Sequence, residues 1–244
     1  MANQVVKQQF ISEAEYLAGE KIADIKHEYI DGDVFAMAGA SASHNRISLN
    51  VARKFGNHLE GKPCQPYISD MKVKIGTKYF YPDVLVDCSG LNDDSHVTQN
   101  PTLIVEVLSK STRRMDETTK RIAYTQINTL LEYVLIEQDF VKIEVVRKSE
   151  GWQPMRYYLG DEITFHSIGL TLTVEEIYQR VNNEEIRNSE DKRYFMTTSE
   201  NNYFFRSLFL KTPRLRSFKD INLDICKIKY YKNKNNRSWC LGAI

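Results

Sequence analysis

The sequence lacks the features of membrane-spanning and secreted proteins. No apolar run approaches the ~20 residues needed to cross a bilayer. The opening stretch, MANQVVKQQF, lacks the apolar core of a secretory signal. We therefore expect a protein with no membrane partner and, by default, a cytoplasmic location.

The cysteines lack the spacing of a metal site. Cys64, Cys88, Cys226 and Cys240 form no CxxC pattern and have no paired histidine cluster. In a cytosolic chain, scattered cysteines of this kind are expected to remain ordinary thiols. A zinc site is therefore not expected.

Charge is distributed unevenly along the 244 residues. Residues 183–244 contain 13 Lys and Arg against 7 Asp and Glu, a net charge of +6, whereas residues 1–182 contain 20 against 25, a net charge of −5. The last part is rich in Asn, Lys, Phe and Tyr and has no sustained apolar period. We predict a domain over residues 1–182 and a loosely packed or partly disordered extension over 183–244. The basic extension could help to hold nucleic acid, or it could simply be solvated.

Helix and strand patterns alternate through the first 182 residues. Four helices are predicted: one starting at a capping box of Ser12 and Glu15, one over about residues 43–60, one over about 115–127, and one from Thr173 to near Val181. Strands are predicted in a hairpin turning at Asp31-Gly32 and in MKVKI, YPDVLVDC, PTLIVEVLS, EYVLIEQ, VKIEVVRK and residues 152–158. The nearly continuous apolar character of YPDVLVDC and PTLIVEVLS favours interior strands.

Glu106 is the most informative residue, because it interrupts the apolar strand LIVEVL. A carboxylate inside a buried strand costs free energy unless another group compensates it. Side chains alternate along a strand, so Glu106 shares a face with Ile104 and Leu108, and Val105 and Val107 point to the other face. The alternative is a glutamate near a strand end that reaches solvent or pairs with an arginine.

Asp83 provides a second carboxylate at the start of the preceding apolar strand, directly after Pro82. Taken alone, it could be an ordinary turn residue after proline. If the two strands are neighbours, Asp83 and Glu106 converge, and a divalent cation would relieve their repulsion. Mg²⁺ suits a site with few carboxylates, several waters and a substrate phosphate. We therefore predict Asp83 and Glu106 as ligands of Mg²⁺ or Mn²⁺.

The order of the motifs carries a resemblance to a known family. Pro82-Asp83 is followed by Glu106, and around them stand HEYIDGDVFAMAGAS, PTLIVEVLSKSTRRMDETTKRIAY and EYVLIE. This set resembles the PD-(D/E)XK nuclease superfamily and, within it, the Uma-type restriction endonucleases. The resemblance implies an α/β, restriction-endonuclease-like core with a mixed β-sheet flanked by helices. It also implies DNA as the partner and a homodimer, whose two sites can reach two strands.

The sequence departs from the superfamily pattern at Leu108. The superfamily lysine stands two residues after the glutamate, where its ammonium can orient the attacking water and stabilise charge on the phosphate. In the resembling family a lysine on the following helix takes this role, and Lys120 occupies that place, on the same helix face as Tyr124. Lys120 could instead face solvent, and Lys110 is the alternative candidate.

Glu28 and His44 are further candidates implied by the resemblance. Glu28 fits a third acidic group near the metal, or it is a surface residue of the hairpin. His44 could contact phosphate at a helix N-terminus, where backbone N–H groups favour anions. The alternative for His44 is a capping-region residue with no catalytic role.

Several basic side chains could contact nucleic acid. Arg113 and Arg114 follow the Glu106 strand and could grip the DNA backbone, a contact that fixes position without reading sequence. Lys72 and Lys74 occupy alternate positions of one strand. Each of these pairs could equally be an exposed basic patch.

Two functional hypotheses follow. The first is a Mg²⁺-dependent endonuclease that hydrolyses DNA phosphodiester bonds, with Asp83 and Glu106 holding the metal and Lys120 assisting. The second is a catalytically inactive nuclease fold that binds nucleic acid or serves a mobile-element or defence system. A fold alone does not establish activity, and Leu108 is the kind of loss that an inactive member would show.

Overall fold

The computed structural model describes residues 10–181. The predicted extension over 183–244, together with Cys226 and Cys240, lies outside the described residues. The helices are α1 (Glu13–Glu20), α2 (Ala42–Leu59), α3 (Arg121–Tyr124), which continues a π-helical turn (Met115–Lys120), and α4 (Val174–Ile177). No helix in this part of the chain is long and apolar enough to cross a membrane.

Within residues 10–181, the strands form three sheets. They are β1 (His27–Ile30), β2 (Asp33–Ala36), β3 (Gln65–Ile68), β4 (Lys72–Ile75), β5 (Lys78–Phe80), β6 (Val84–Asp87), β7 (Val97–Thr98), β8 (Pro101–Leu108), β9 (Glu132–Glu137), β10 (Ile143–Arg147), β11 (Pro154–Tyr157), β12 (Glu162–Phe165) and β13 (Leu170–Thr173). The central sheet has the order β11-β10-β9-β8-β6-β3, a second sheet has the order β2-β1-β5-β4-β7, and β12 pairs with β13. Because β8 and β9 are parallel while the other pairs of the central sheet are antiparallel, that sheet is mixed.

The two faces of β8 belong to different hydrophobic clusters, as the alternation of its side chains predicts. Val105 and Val107 pack in the cluster that contains the apolar stripe of α2. Ile104 and Leu108 pack in the cluster that contains Tyr124 of α3. The central sheet is therefore buried on both faces at β8, which explains the nearly continuous apolar sequence of this strand.

Helix α2 follows its predicted signals. The Ser41 side chain caps it by accepting a hydrogen bond from the backbone N–H of His44 at 3.1 Å. The stripe Ile47, Val51, Phe55 and Leu59 is buried against the central sheet. The helix ends at Leu59, shortly before Gly61, whose φ of +72° is a conformation that glycine adopts without steric cost.

The N-terminal hairpin forms at the predicted dipeptide. Asp31 and Gly32 both have positive φ angles, 52° and 104°, as a tight hairpin turn requires. The turn joins β1 and β2 so that Glu28 lies opposite Phe35. Strand β5 pairs with the other edge of β1, and this arrangement brings the hairpin next to the segment that leads into Asp83.

Two predicted helices are shorter than their patterns indicate. The third helix begins at Met115 as a π-helical turn and ends at Tyr124, before the predicted end near residue 127. The closing helix has the predicted capping box of Thr173 and Glu176 but spans only Val174–Ile177. The capping pattern therefore located the start of the closing helix correctly and gave no information on its end.

The prediction that Cys64 and Cys88 are ordinary thiols is wrong. They form a disulfide between residues 24 apart in the chain. Gln65 of β3 pairs with Asp87 of β6, so the next pair of residues beyond the ladder consists of the two cysteines. Strand pairing brings them together, and their spacing in sequence carries no sign of it.

Candidate active site

Strand pairing brings Asp83 and Glu106 to the same end of the β6–β8 pair. The two strands are antiparallel with Val84 opposite Val105, so the next pair consists of Asp83 and Glu106. Asp83 reaches across this pair, because its Oδ2 accepts a hydrogen bond from the backbone N–H of Val107 at 2.7 Å. The carboxylate of Asp83 is thereby held beside the strand that carries Glu106.

Lys120 is the buried cation of the site. Only 4% of the residue is exposed, and its Nζ lies 2.7 Å from Glu28 Oε1. The same ammonium lies 3.1 Å from Glu106 Oε1 and 3.1 Å from Asp116 Oδ1. Lys110, the alternative candidate, is exposed on the loop after β8. Of the two lysines, Lys120 is thus the one that reaches Glu106.

Strand β1 and the helical segment over residues 115–124 position the groups around Lys120. Glu28 comes from β1 and accepts a hydrogen bond from the backbone N–H of Tyr81 at 3.2 Å. Asp116 precedes Lys120 by one turn of the π-helical segment. Tyr124, on α3, donates its hydroxyl to Glu106 Oε1 at 3.1 Å. The fold of the hairpin against the central sheet is therefore a requirement for the site.

Burial and charge act together on the titration of these groups. Burial raises the pKa of Glu106 well above that of an ordinary carboxyl, the Lys120 ammonium opposes this shift, and the nearby carboxylates add to it. Burial acts to lower the pKa of Lys120, but the carboxylates of Glu106, Glu28 and Asp116 outweigh it and raise this pKa well above its ordinary value. Lys120 is therefore a charged ammonium in a dry environment, where its electrostatic interactions are strong.

The charge balance of the site is suited to a divalent cation. Lys120 is one positive charge among the carboxylates of Glu28, Glu106 and Asp116, with Asp83 beside them. In residues 10–181, no three His, Cys, Asp or Glu side chains stand ready as a metal-binding group. The donor chemistry nevertheless fits Mg²⁺, which takes one or two carboxylates and completes its shell with water and substrate phosphate.

Both hydrogen bonds to the carboxylate of Glu106 fall on one of its two oxygens. Within the described residues, its carboxylate accepts only at Oε1, from Lys120 and Tyr124. Asp116 Oδ1 is buried and lies 3.1 Å from Lys120 Nζ, so its charge is partly balanced by the ammonium. A bound cation could therefore take the other carboxylate oxygen of Glu106 as a ligand.

His44 contacts Asp83 directly. It lies in the first turn of α2, and its Nε2 is 2.7 Å from Asp83 Oδ1. This contact with a carboxylate accounts for its inward position. His44 therefore helps to fix Asp83, and its contact with phosphate stays a prediction.

The predicted DNA-binding arginines differ in their surroundings. Arg113 forms an ion pair with the buried carboxylate of Glu137. Arg114 is exposed. Lys72 lies beside Tyr81, 3.2 Å from its hydroxyl, and Lys74 pairs with Glu13 at 2.6 Å. Lys72 and Lys74 are thus only partly exposed and already engaged within the protein.

Sequence reasoning missed Asp116 as a member of the site. The residue is buried and contacts Lys120. Its spacing of four residues before Lys120 places the two side chains on neighbouring positions of a helix. That spacing is a signal that could have identified Asp116, since Lys120 was already a candidate.

Comparison with known proteins identifies one matching family and two related proteins. The chain matches the Uma2 family, described as putative restriction endonuclease, over residues 13–175. It is 36% identical over 174 residues to the uncharacterized protein slr1290 of Synechocystis sp., a match that covers 69% of this chain and 92% of that relative. It is 37% identical over 149 residues to the uncharacterized protein sll1609 of the same organism, with coverages of 59% and 84%.

A solved structure shares the fold. The crystal structure of a putative nuclease belonging to DUF820 from Anabaena variabilis matches with a TM-score of 0.60, covering 70% of this chain and 99% of that chain at 16% identity. The mixed α/β, nuclease-like fold predicted from the motifs is confirmed by this match. Together with the match over residues 13–175, which spans both Asp83 and Glu106, the resemblance drawn from the sequence is confirmed: the chain belongs to the Uma2 family of restriction-endonuclease-like proteins.

Proposed function

We propose that the protein is a Mg²⁺- or Mn²⁺-dependent endonuclease that hydrolyses phosphodiester bonds of DNA. The observation that carries this proposal is the buried contact of Lys120 with Glu106, on the strand next to Asp83. A buried lysine surrounded by more carboxylates than it can neutralise is a costly arrangement for stability alone. It is a suitable arrangement for a site that binds a divalent cation and a phosphate.

In this proposal Asp83 and Glu106 would hold the metal, which would supply activation of a water and neutralisation of charge on the scissile phosphate. His44 holds Oδ1 of Asp83, and Tyr124 holds Oε1 of Glu106, so both carboxylates are fixed in orientation. Lys120 keeps an ammonium at the site, where it can orient the attacking water or stabilise charge that develops on the phosphate.

Glu28 has a positioning role in this proposal. Its contact with Lys120 at 2.7 Å is the shortest of the three ion pairs of the ammonium. Lys120 thus takes the role of the superfamily lysine, whose place in the strand is filled by Leu108. Leu108 itself is buried in the hydrophobic cluster on that face.

DNA is proposed as the substrate from the description of the family as restriction endonucleases. The exposed side chains of Lys110 and Arg114 on the segment after β8 are available for phosphate contacts. A homodimer is part of the proposal, because a single site hydrolyses one strand and two related sites can reach both. The mass of the protein in solution, measured by light scattering, tests the proposed homodimer separately.

A second candidate is a nucleic-acid-binding protein on an inactive nuclease fold. It is favoured by one observation, namely that Leu108 fills the strand position at which the superfamily has its lysine. Titration calorimetry with Mn²⁺ separates the candidates, since the nuclease must bind the ion in a manner that depends on Asp83 and the inactive protein need not.

Cleavage of a labelled DNA duplex in Mg²⁺ tests the proposed function. We expect Asp83→Asn to abolish cleavage. The matched control is Asp87→Asn, because Asp87 is a buried carboxylate at the far end of β6, where it accepts hydrogen bonds from Ser89 and Thr98. The control should cleave DNA even if its stability falls. Equal cleavage by wild type and Asp83→Asn would remove Asp83 from the reaction.

A further inference from the structure

Glu137 is a buried carboxylate that the proposed reaction does not use. It ends β9, opposite Leu108 of β8, and none of its surface is exposed. Its Oε1 accepts from Arg113 and lies 3.7 Å from Lys142 Nζ. Its Oε2 is buried and has no hydrogen-bond partner among residues 10–181. Arg113 is therefore the close counterion of a carboxylate that would be costly to bury alone.

Arg113 stands on the segment between the Glu106 strand and the Lys120 helix. Its backbone N–H donates to the carbonyl of Ser109 at 3.0 Å, which makes this segment a compact turn. The side chain is 30% exposed, and within residues 10–181 its guanidinium donates only to Glu137. A guanidinium has five N–H donors, so further donors remain for an anion. The planar guanidinium can donate two parallel hydrogen bonds to one phosphate group.

A chain of contacts connects the end of β9 with the proposed active site. Gln138, the residue after Glu137, accepts a hydrogen bond from the Ser41 hydroxyl at 2.7 Å. Ser41 caps the helix turn that carries His44, and His44 contacts Asp83 at 2.7 Å. Arg113 and Asp83 therefore lie along one rim of the fold, formed by the ends of β8 and β9 and the start of α2.

We propose that Arg113 binds a phosphate of the substrate next to the scissile one, and that Glu137 is the positioning residue that holds its guanidinium there. This inference rests on the proposed function, because it assumes that DNA lies along this rim. Glu137 acts only through Arg113 and does not touch the substrate. A purely structural ion pair would give the same contact, so the test needs a readout that such a pair would not change.

The test is binding of a short labelled duplex, measured by fluorescence anisotropy in EDTA over a range of salt concentrations. Arg113→Ala should bind the duplex about tenfold more weakly than wild type, because it loses one charged hydrogen bond to phosphate. The slope of log affinity against log salt should become shallower by about 0.9. Glu137→Gln should also weaken binding, but its slope should stay unchanged because the arginine charge remains. Glu137→Gln should have no further effect on binding in the Arg113→Ala background.

Glu144→Gln is the matched control, because Glu144 is another largely buried carboxylate that pairs with an arginine, Arg121, at 2.9 Å. It should lower thermal stability without changing DNA affinity. If Glu137→Gln behaves like this control, Glu137 is only structural and the inference is overturned. Unchanged affinity of Arg113→Ala overturns it as well, even if the enzyme cleaves DNA.

Failure of the nuclease proposal can be distinguished from failure of the inference about Arg113 and Glu137. Wild type that binds the duplex in EDTA but never cleaves it in Mg²⁺ contradicts the nuclease proposal, and the anisotropy of the Arg113 and Glu137 variants still decides the inference. Wild type that does not bind DNA overturns both.

Discussion

Lys120 Nζ lies 2.7 Å from Glu28 Oε1, and this contact joins the π-helical turn to the N-terminal hairpin. The same ammonium contacts Glu106 of the central sheet at 3.1 Å. One lysine thus connects three parts of the fold at the proposed active site. Its removal should affect stability and activity together.

Lys120→Met should destabilise the metal-free protein by about 3–5 kcal/mol, because it leaves buried carboxylates without their cation. Cleavage should fall about 100-fold or more. Mg²⁺ should raise the thermal unfolding temperature more in this variant than in wild type, because the ion replaces the lost charge. Lys110→Met is the control, since Lys110 is exposed and should tolerate the change. Equal activities of Lys120→Met and wild type would contradict the role of Lys120.

Tyr124→Phe removes the hydroxyl that donates to Glu106 Oε1 at 3.1 Å. The loss should cost about 1 kcal/mol of stability. It should also lower cleavage several-fold, because Glu106 loses a group that fixes its orientation. Tyr29→Phe is the comparison, since its hydroxyl donates to the carbonyl of Ile11, away from the site, at 2.8 Å. If both variants lose stability and neither loses cleavage, Tyr124 has no role in the reaction.

The sequence was most informative where one strand or one helix carries the signal. The placement of Ile104 and Leu108 on one face of β8 followed from alternation alone, and the stripe of α2 from its period. The start of α4 followed from the capping box at Thr173. These features depend on neighbours in sequence, so a local pattern is enough to predict them.

The features that escaped prediction depend on pairing between distant segments. The Cys64–Cys88 disulfide results from the register of β3 and β6. The pairing of Arg113 with Glu137 requires β9 to lie beside β8 in parallel. The inward direction of Lys120 was predicted only through the resemblance, because the sequence of a helix does not show whether its lysine faces the interior or the solvent.

The disulfide should make stability depend on reductant. Closing a loop of this size contributes about 3.5 kcal/mol in the chain-entropy estimate, given a separation of 24 residues. Reduction should therefore lower the thermal unfolding temperature of wild type. The Cys64→Ser/Cys88→Ser double variant should unfold at the same lower temperature with or without reductant. An unfolding temperature of wild type that does not respond to complete reduction would contradict the prediction.

Glu176 should contribute to stability in a pH-dependent manner. The hydrogen bond from Lys54, together with the capping contacts at Thr173, lowers the pKa of this carboxyl below its ordinary value of 4.5. The contribution should therefore be complete above about pH 4.5 and disappear as pH falls through the lowered pKa. It should be small, because both side chains are partly exposed to solvent, which screens the pair. Thermal unfolding of wild type and Glu176→Gln across this range measures it, and a difference that grows on acidification would contradict the assignment.

The most direct test of the central claim is cleavage of supercoiled plasmid DNA by the full chain in Mg²⁺, with wild type and Glu106→Ala side by side. The account predicts nicked or linear plasmid with wild type, none when EDTA removes the metal, and none with Glu106→Ala. Cleavage by Glu106→Ala at the wild-type rate would contradict the claim that Asp83, Glu106 and Lys120 form the site of a metal-dependent nuclease.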